Sequence, residues 1–197
     1  MEVAKLNYKP HISSRHYPQR IDPLPIHQLD SDQARLLEKM REEGASPVTF
    51  VSTVARSPVL LKQVNRMAAV FQSCSIEPAE RELVILSVAA FCRSEYLFAE
   101  HTSISAKVGL TQIDLDHLWR RSISPSWNER QAGLVIFTTG LLGNDSISDE
   151  SWQAAPFRDD PRRMIELISL VGFYRMIAGL TNAVRMKLHD FEASAQS

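Results

Sequence analysis

Glu82 and His101 are the two side chains of this chain whose types and placement could move a proton together. They stand nineteen positions apart at the two ends of RELVILSVAAFCRSEYLFAEH, a helical pattern with a polar interruption at Arg93-Ser94. On one unbroken helix, rising about 1.5 Å per residue, they would lie roughly 28 Å apart and could not serve one substrate. A bend near Cys92–Ser94, midway between them, would bring them level. Histidine titrates near neutrality and is the commonest general acid–base group. The plainer reading of His101 is a histidine with a satisfied hydrogen bond and no chemistry. Glu82 lies on the most apolar helical stretch, where an ionised carboxylate is costly unless paired. Arg81, Arg93 and His101 are its nearby partners; otherwise it sits in a solvated first turn, where Glu favours the helix dipole.

Ser94, Leu97, Phe98 and His101 share one helical face by three-and-four spacing, with Tyr96 to the side. The Tyr96 hydroxyl could donate a hydrogen bond to a substrate oxygen or simply remain wet. Ser94 lacks a glycine-rich elbow and suits a helix cap better than a nucleophile. No glycine-rich phosphate loop, HExxH or EF-hand spacing occurs, so the chemistry calls for no metal and no other cofactor.

The elements that must position these residues are all helical. Residues 1–29 hold Pro10, Pro18, Pro23 and Pro25 without an apolar period and read as an extended arm; its histidines His11, His16 and His27 fit no metal signature. Residues 30–197 read as one helical domain. Asp30 or Ser31 caps a first helix that Gly44 stops, and a short helix covers Thr49–Arg56. Pro58 and Pro78 occupy first-turn positions of the next two helices, the second running from about Ala79 to Phe91 and apolar on nearly every side. After Arg93-Ser94 the pattern resumes to Val108. Further helices are expected over Gln112–Arg121 and Asn128–Leu142, with a short one from Ser148 or Asp149. A last long helix runs from Pro161 to about His189. No segment alternates like a strand, so the fold class is all-α.

The chain has 197 residues, 44% apolar, with 7 glycines and a formal net charge of −1. These values suit a compact helical protein and favour neither nucleic acid nor an anionic membrane surface. The N-terminus has no apolar signal region, and the apolar stretch from Leu83 soon meets Arg93 and Glu95, so a cytoplasmic protein without a membrane span is expected. Cys74 and Cys92 form no CxxC and read as two buried thiols. The last helix and the Leu83–Cys92 helix carry more apolar surface than one small domain hides easily, which points to a homo-oligomer.

Three blocks, TVARSPVLLKQVNRM (53–67), RELVILSVAAFCRSEYLFAEHTSISAKVGLT (81–111) and ELISLVGFYRMIAGLTNA (166–183), resemble the carboxymuconolactone decarboxylase family. That family shares its fold with the alkylhydroperoxidase-D-like proteins. The resemblance covers roughly residues 45–190 and implies that Glu82 and His101 are the acid–base pair. Beside that pair, Tyr96 is expected to hydrogen-bond the substrate oxygen, and Arg81, Ser94, Leu97 and Phe98 are expected to contact a small-molecule substrate, Arg81 either pairing with a carboxylate or lying at the surface. The resemblance also implies a trimer or hexamer. In the peroxidase branch the redox cysteines would fall at Ser94 and Leu97, which are not cysteines. In the decarboxylase branch the acidic residue after the tyrosine is Leu97 and the tryptophan is Phe98, which implies a more apolar pocket and a more hydrophobic substrate, as in secondary metabolism. The expected activity is cofactor-free decarboxylation, isomerisation or cyclisation of an unsaturated lactone, enone or keto-acid-like compound. The alternatives are a thiol-dependent peroxide reductase using Cys92 and a non-catalytic helical oligomer whose polar residues only satisfy one another.

Overall fold

Ten consecutive residues of one helix, Arg81 to Ala90, are buried, and the rest of the protein is arranged around them. The computed structural model describes residues 17–42, 48–143 and 146–188, and all regular structure among them is helical. The α-helices are α1 (Ser31–Glu42), α2 (Val48–Val54), α3 (Pro58–Gln72), α4 (Pro78–Phe91), α5 (Glu95–Lys107), α6 (Gln112–Trp119), α7 (Glu129–Gly143), α8 (Asp149–Ala154) and α9 (Pro161–Val184). α4 is the central rod: α5, α6, α7 and α9 all pack on it. Its residues Leu83 to Leu86 are at most 1% exposed, each apolar side chain contributing about 1.5–3 kcal/mol by burial. Gly44, His11 and His16 lie outside the described residues, as does the end of the chain from His189.

The helix starts follow local chemistry. The Asp30 carboxylate accepts from the backbone N–H groups of Asp32 and Gln33, and the Gln33 amide oxygen accepts from the Asp30 N–H, so Asp30 is the cap and Ser31 is not. Thr111 and Asp114 make the same reciprocal pair at α6. The Ser148 hydroxyl caps α8 and the Asp160 carboxylate caps α9.

Three helix ends use an arginine in the left-handed conformation: Arg93 after α4, Arg121 after α6 and Arg185 after α9, with φ of 53°, 58° and 55°. In each, the next residue's N–H bonds back to the last turn: Ser94 to Ala89, Ser122 to His117 and Met186 to Thr181. Two of them lock together. The Arg93 guanidinium donates to the Trp119 carbonyl and lies over the Trp119 ring, while Arg121 donates to the Phe91 carbonyl and lies over the Phe91 ring.

Two boundaries differ from the sequence expectation for this reason. α6 ends at Trp119 rather than Arg121, and α9 ends at Val184 rather than near His189. The apolar period continues through Met186, but Met186 packs beside Tyr96 from an irregular backbone. Periodicity alone does not separate that from helix.

α9 is long and apolar enough to span a bilayer by length and composition. Here it is a packing helix, set against α4, α5 and α7. The arm, described from residue 17, has one 3₁₀ turn (Ile26–Gln28) and is fastened at both sides. Arg20 donates its N–H to Val184 at the end of α9, and Leu24 donates to Ser52 in α2. Arg56 in turn holds the Asp22 carbonyl at 2.7 Å. The arm thereby secures α2, which forms one wall of the cavity described next.

Candidate functional site

The turn between α4 and α5 reverses the chain, so the two helices run side by side and the ends of the Glu82–His101 interval meet. The His101 Nδ1 lies 2.7 Å from the Glu82 Oε2. A carboxylate only accepts, so Nδ1 carries the hydrogen and Nε2 is left as the basic nitrogen. Glu82 is 3% exposed and His101 13%, so the pair sits at the boundary between core and cavity. α9 pins the reversal. The Asn182 amide donates to the Cys92 carbonyl at 2.7 Å, and the Ser94 and Thr181 hydroxyls are 2.8 Å apart.

His101 opens onto a cavity of about 560 Å³. α5 supplies Tyr96, Leu97, Glu100, His101, Ile104 and Lys107; α3 supplies Leu61, Val64, Asn65, Ala68 and Gln72; α1, α2 and α9 close the remaining sides. Most of the lining is hydrocarbon or aromatic. The Tyr174 ring meets the His101 ring edge to face, with centroids 5.3 Å apart, and so fixes the imidazole plane. The Tyr96 hydroxyl accepts the Phe50 N–H at 3.2 Å and keeps its own hydrogen for another acceptor. Burial, with Glu100 adding to it, raises the Tyr96 hydroxyl well above its ordinary range, so it remains a neutral donor.

Burial likewise raises Tyr174, helped by the Glu82 charge and opposed by Arg81. Glu100 is pushed up to about 7, chiefly by burial and against the pull of His101. Among the described residues no group of three His, Cys, Asp or Glu side chains is placed to hold a metal ion.

Of the expected site residues, Glu82, His101, Tyr96 and Leu97 are brought together. Three are not. Arg81 is 7% exposed and is not among the residues that line the cavity: its guanidinium donates to the Phe71 carbonyl and the Gln72 side-chain oxygen, both at 3.1 Å, and so caps the end of α3. It holds Gln72, which lines the cavity, rather than a substrate carboxylate. Ser94 is fully buried and caps α5, its hydroxyl accepting from the Leu97 N–H at 3.4 Å. Phe98 is fully buried against the Trp119 ring, on the side of α5 turned towards α6.

The face of α5 that meets the cavity is therefore centred on residues 97, 100, 101 and 104, one step round from the expected face. Glu100 and Tyr174 were missed. Glu100 had a signal, since it lies three residues after Leu97 and four after Tyr96 on the same helix. Tyr174 is far away in sequence and had none. Cys74 and Cys92 are free and half-buried, and neither lines the cavity.

No protein-family model matches the sequence, and no curated protein matches it. Solved structures do. An uncharacterized peroxidase-related protein from Ralstonia eutropha JMP134, described as an alkylhydroperoxidase AhpD core, superposes with a TM-score of 0.74 at 16% identity, over 88% of this chain and 94% of that one. A peroxidase-related protein from Silicibacter sp. TM1040 gives 0.74 at 16% identity, over 88% and 93%. The debrominase Bmp8, as a cysteine-to-alanine variant in complex with 2,3,4-tribromopyrrole, gives 0.70 at 12% identity, over 88% and 93%. Likeness at these identities speaks for the backbone arrangement, and with the site geometry already described it leads to one assignment: the chain is an all-α protein of the alkylhydroperoxidase-D-like fold, the fold of the carboxymuconolactone decarboxylases.

Proposed function

We propose that the cavity is an acid–base active site in which the Glu82–His101 pair moves a proton on a small, largely apolar carbonyl compound. The observation that carries this is the 2.7 Å contact between a buried carboxylate and an imidazole that opens onto a cavity of about 560 Å³. Glu82 holds the imidazole in one tautomer and compensates the charge it gains, while Nε2 removes or returns a proton at carbon. Tyr96 donates to the oxygen on which negative charge develops. Among unsaturated lactones, enones and keto acids the lining favours the two uncharged classes, because Arg81 is tied to the end of α3 and Lys107 is exposed. The debrominase neighbour binds 2,3,4-tribromopyrrole, also a small ring of low polarity.

A thiol mechanism through Cys92 has less support. Burial raises that thiol, with Arg175 and Arg121 only partly opposing it, so the reactive thiolate is disfavoured. The exposed face of α9 carries Ile165, Ile168 and Met176, and Gly172 and Gly179 there have open space beside them. This face fits subunit association, and light scattering at micromolar concentration tests it: a mass near the 22.3 kDa of one chain contradicts it.

The test of the activity is solvent deuterium entry into cyclohex-2-enone, followed by proton NMR. The wild type accelerates it, and His101→Ala and Glu82→Gln each remove about 10²–10⁴-fold, a far larger effect than either has on thermal stability. Near-parental exchange in either variant removes that residue from the mechanism.

A further inference from the structure

We propose that Glu100 is a second proton-transfer group of this cavity, so that with His101 it relocates a proton within an uncharged β,γ-unsaturated ketone or lactone. The inference rests on the acid–base reading above and adds the reaction type. Glu100 and His101 are consecutive on α5, and both line the cavity. Glu82 and Glu100 differ in how their carboxylates are satisfied. Glu82 has His101, whereas among the described residues no hydrogen-bond donor reaches the Glu100 carboxyl group. The Ser103 hydroxyl donates to the Glu100 backbone carbonyl instead.

The groups around it offer little compensation. On α5 these are Tyr96, His101 and the exposed Lys107; α3 contributes the neutral amides of Asn65 and Gln72; α9 contributes Tyr174; α1 and α2 present apolar side chains. A carboxylate so placed favours its protonated form, and the group is held up to about 7, so near neutrality it can give a proton and take it back.

The step balances without an oxidant or reductant. His101 Nε2 removes a proton from the carbon between the carbonyl and the double bond. The C–H electron pair forms a new C=C bond to the carbonyl carbon, and the C=O π pair moves to oxygen, which takes the Glu100 proton. The site then holds a dienol, a Glu100 carboxylate and an imidazolium paired with Glu82. In the return step the enol O–H gives its proton to Glu100 and the carbonyl re-forms. The electron pair moves out along the diene, and the far carbon takes the proton from His101. The product is the conjugated isomer, and every protein group ends in its starting state.

The probe is cyclohex-3-enone, whose conversion to cyclohex-2-enone is followed by the absorbance of the conjugated product. The wild type should accelerate conversion, with kcat falling as pH rises through about 7, where Glu100 loses its proton. Glu100→Gln should lower kcat by about 10²-fold or more, leave KM within a few-fold and abolish that fall with pH. Conversion that is slow in His101→Ala yet unchanged in rate and pH profile in Glu100→Gln overturns this inference and leaves the acid–base reading standing. No acceleration by the wild type, or full activity in His101→Ala, overturns both.

Discussion

Asp114 and Glu100 are carboxylates on neighbouring helices of one small domain, and the protein treats them in opposite ways. Asp114 accepts four hydrogen bonds: from the Thr111 N–H at 2.8 Å, the Thr111 hydroxyl at 2.7 Å, the Trp127 indole at 2.7 Å and the Ser126 hydroxyl at 3.1 Å. Burial alone would raise it, but these donors outweigh burial and hold it below its ordinary value. Glu100 is raised by burial with no comparable set of donors, and it borders a cavity. The difference separates structural from chemical carboxylates. A charge met by donors on all sides ties α6 to the loop before α7, whereas a carboxyl group left short of donors is free to exchange its proton with whatever enters.

The two carboxylates' surroundings should differ most in their effect on rate. His101→Ala should cost about 10²–10⁴-fold in proton transfer, an effect far larger than the loss of stability that follows from leaving the buried Glu82 carboxyl group without its partner. Asp114→Ala should do the reverse. It strands the buried indole N–H of Trp127, removes the acceptor of the Thr111 N–H and hydroxyl, and should cost about 3 kcal/mol by denaturant unfolding, with activity per folded molecule unchanged. Because the Asp114 carboxylate is held low, its contribution is present above the ordinary value of 3.8 and is lost as pH falls through the lower folded value. The wild-type advantage over the variant should therefore shrink on acidification.

Gly133→Ala sets a packing control between these two. An added Cβ would lie 2.2 Å from the Ala154 carbonyl oxygen, so α8 must move off α7, at a cost of about 1–3 kcal/mol in the same unfolding assay. The smallest effect has the opposite sign. Glu100 binds its proton more tightly in the folded state, so wild-type stability falls as pH rises from about 4.5 to about 7. Glu100→Gln escapes that loss and should melt within about 3 °C above the wild type at pH 8, with no gain at pH 4. A loss of Tm at pH 8 would mean that the carboxylate is paired after all.

Much of the helical plan could be read directly from the residues, because caps and first-turn prolines act locally. Pro58, Pro78, Thr111 and Asp160 mark starts that hydrogen bonds or fixed φ impose whatever lies beyond. Helix ends were harder. Arg121 and Arg185 stop helices in a conformation usually given to glycine, and Arg121 is held there by the Phe91 carbonyl and ring, which no local pattern announces. The bend beside Ser94 was legible from the polar interruption and the nineteen-residue interval it divides.

The face of α5 was only half legible. Three-and-four spacing defines a stripe but not which way it turns, and the burial of Phe98 against Trp119 settles the rotation that exposes Glu100 and His101 together. Arg81 was placed wrongly for a related reason: a guanidinium near a carboxylate in sequence can be claimed by a backbone carbonyl from another helix, here Phe71 at the end of α3.

In the proposed mechanism Glu82 holds His101 as the Nδ1–H tautomer, with a basic Nε2 facing an occupiable cavity. Long-range ¹H–¹⁵N NMR of the histidine rings, recorded at a pH where the imidazole is neutral and with cyclohex-2-enone added, tests it most directly. Wild-type His101 should show a protonated Nδ1 and an unprotonated Nε2, with the Nε2 resonance moving as ligand is added and the tautomer preference lost in Glu82→Gln. An Nε2–H tautomer in the wild type, or a His101 signal indifferent to the ligand, would contradict it.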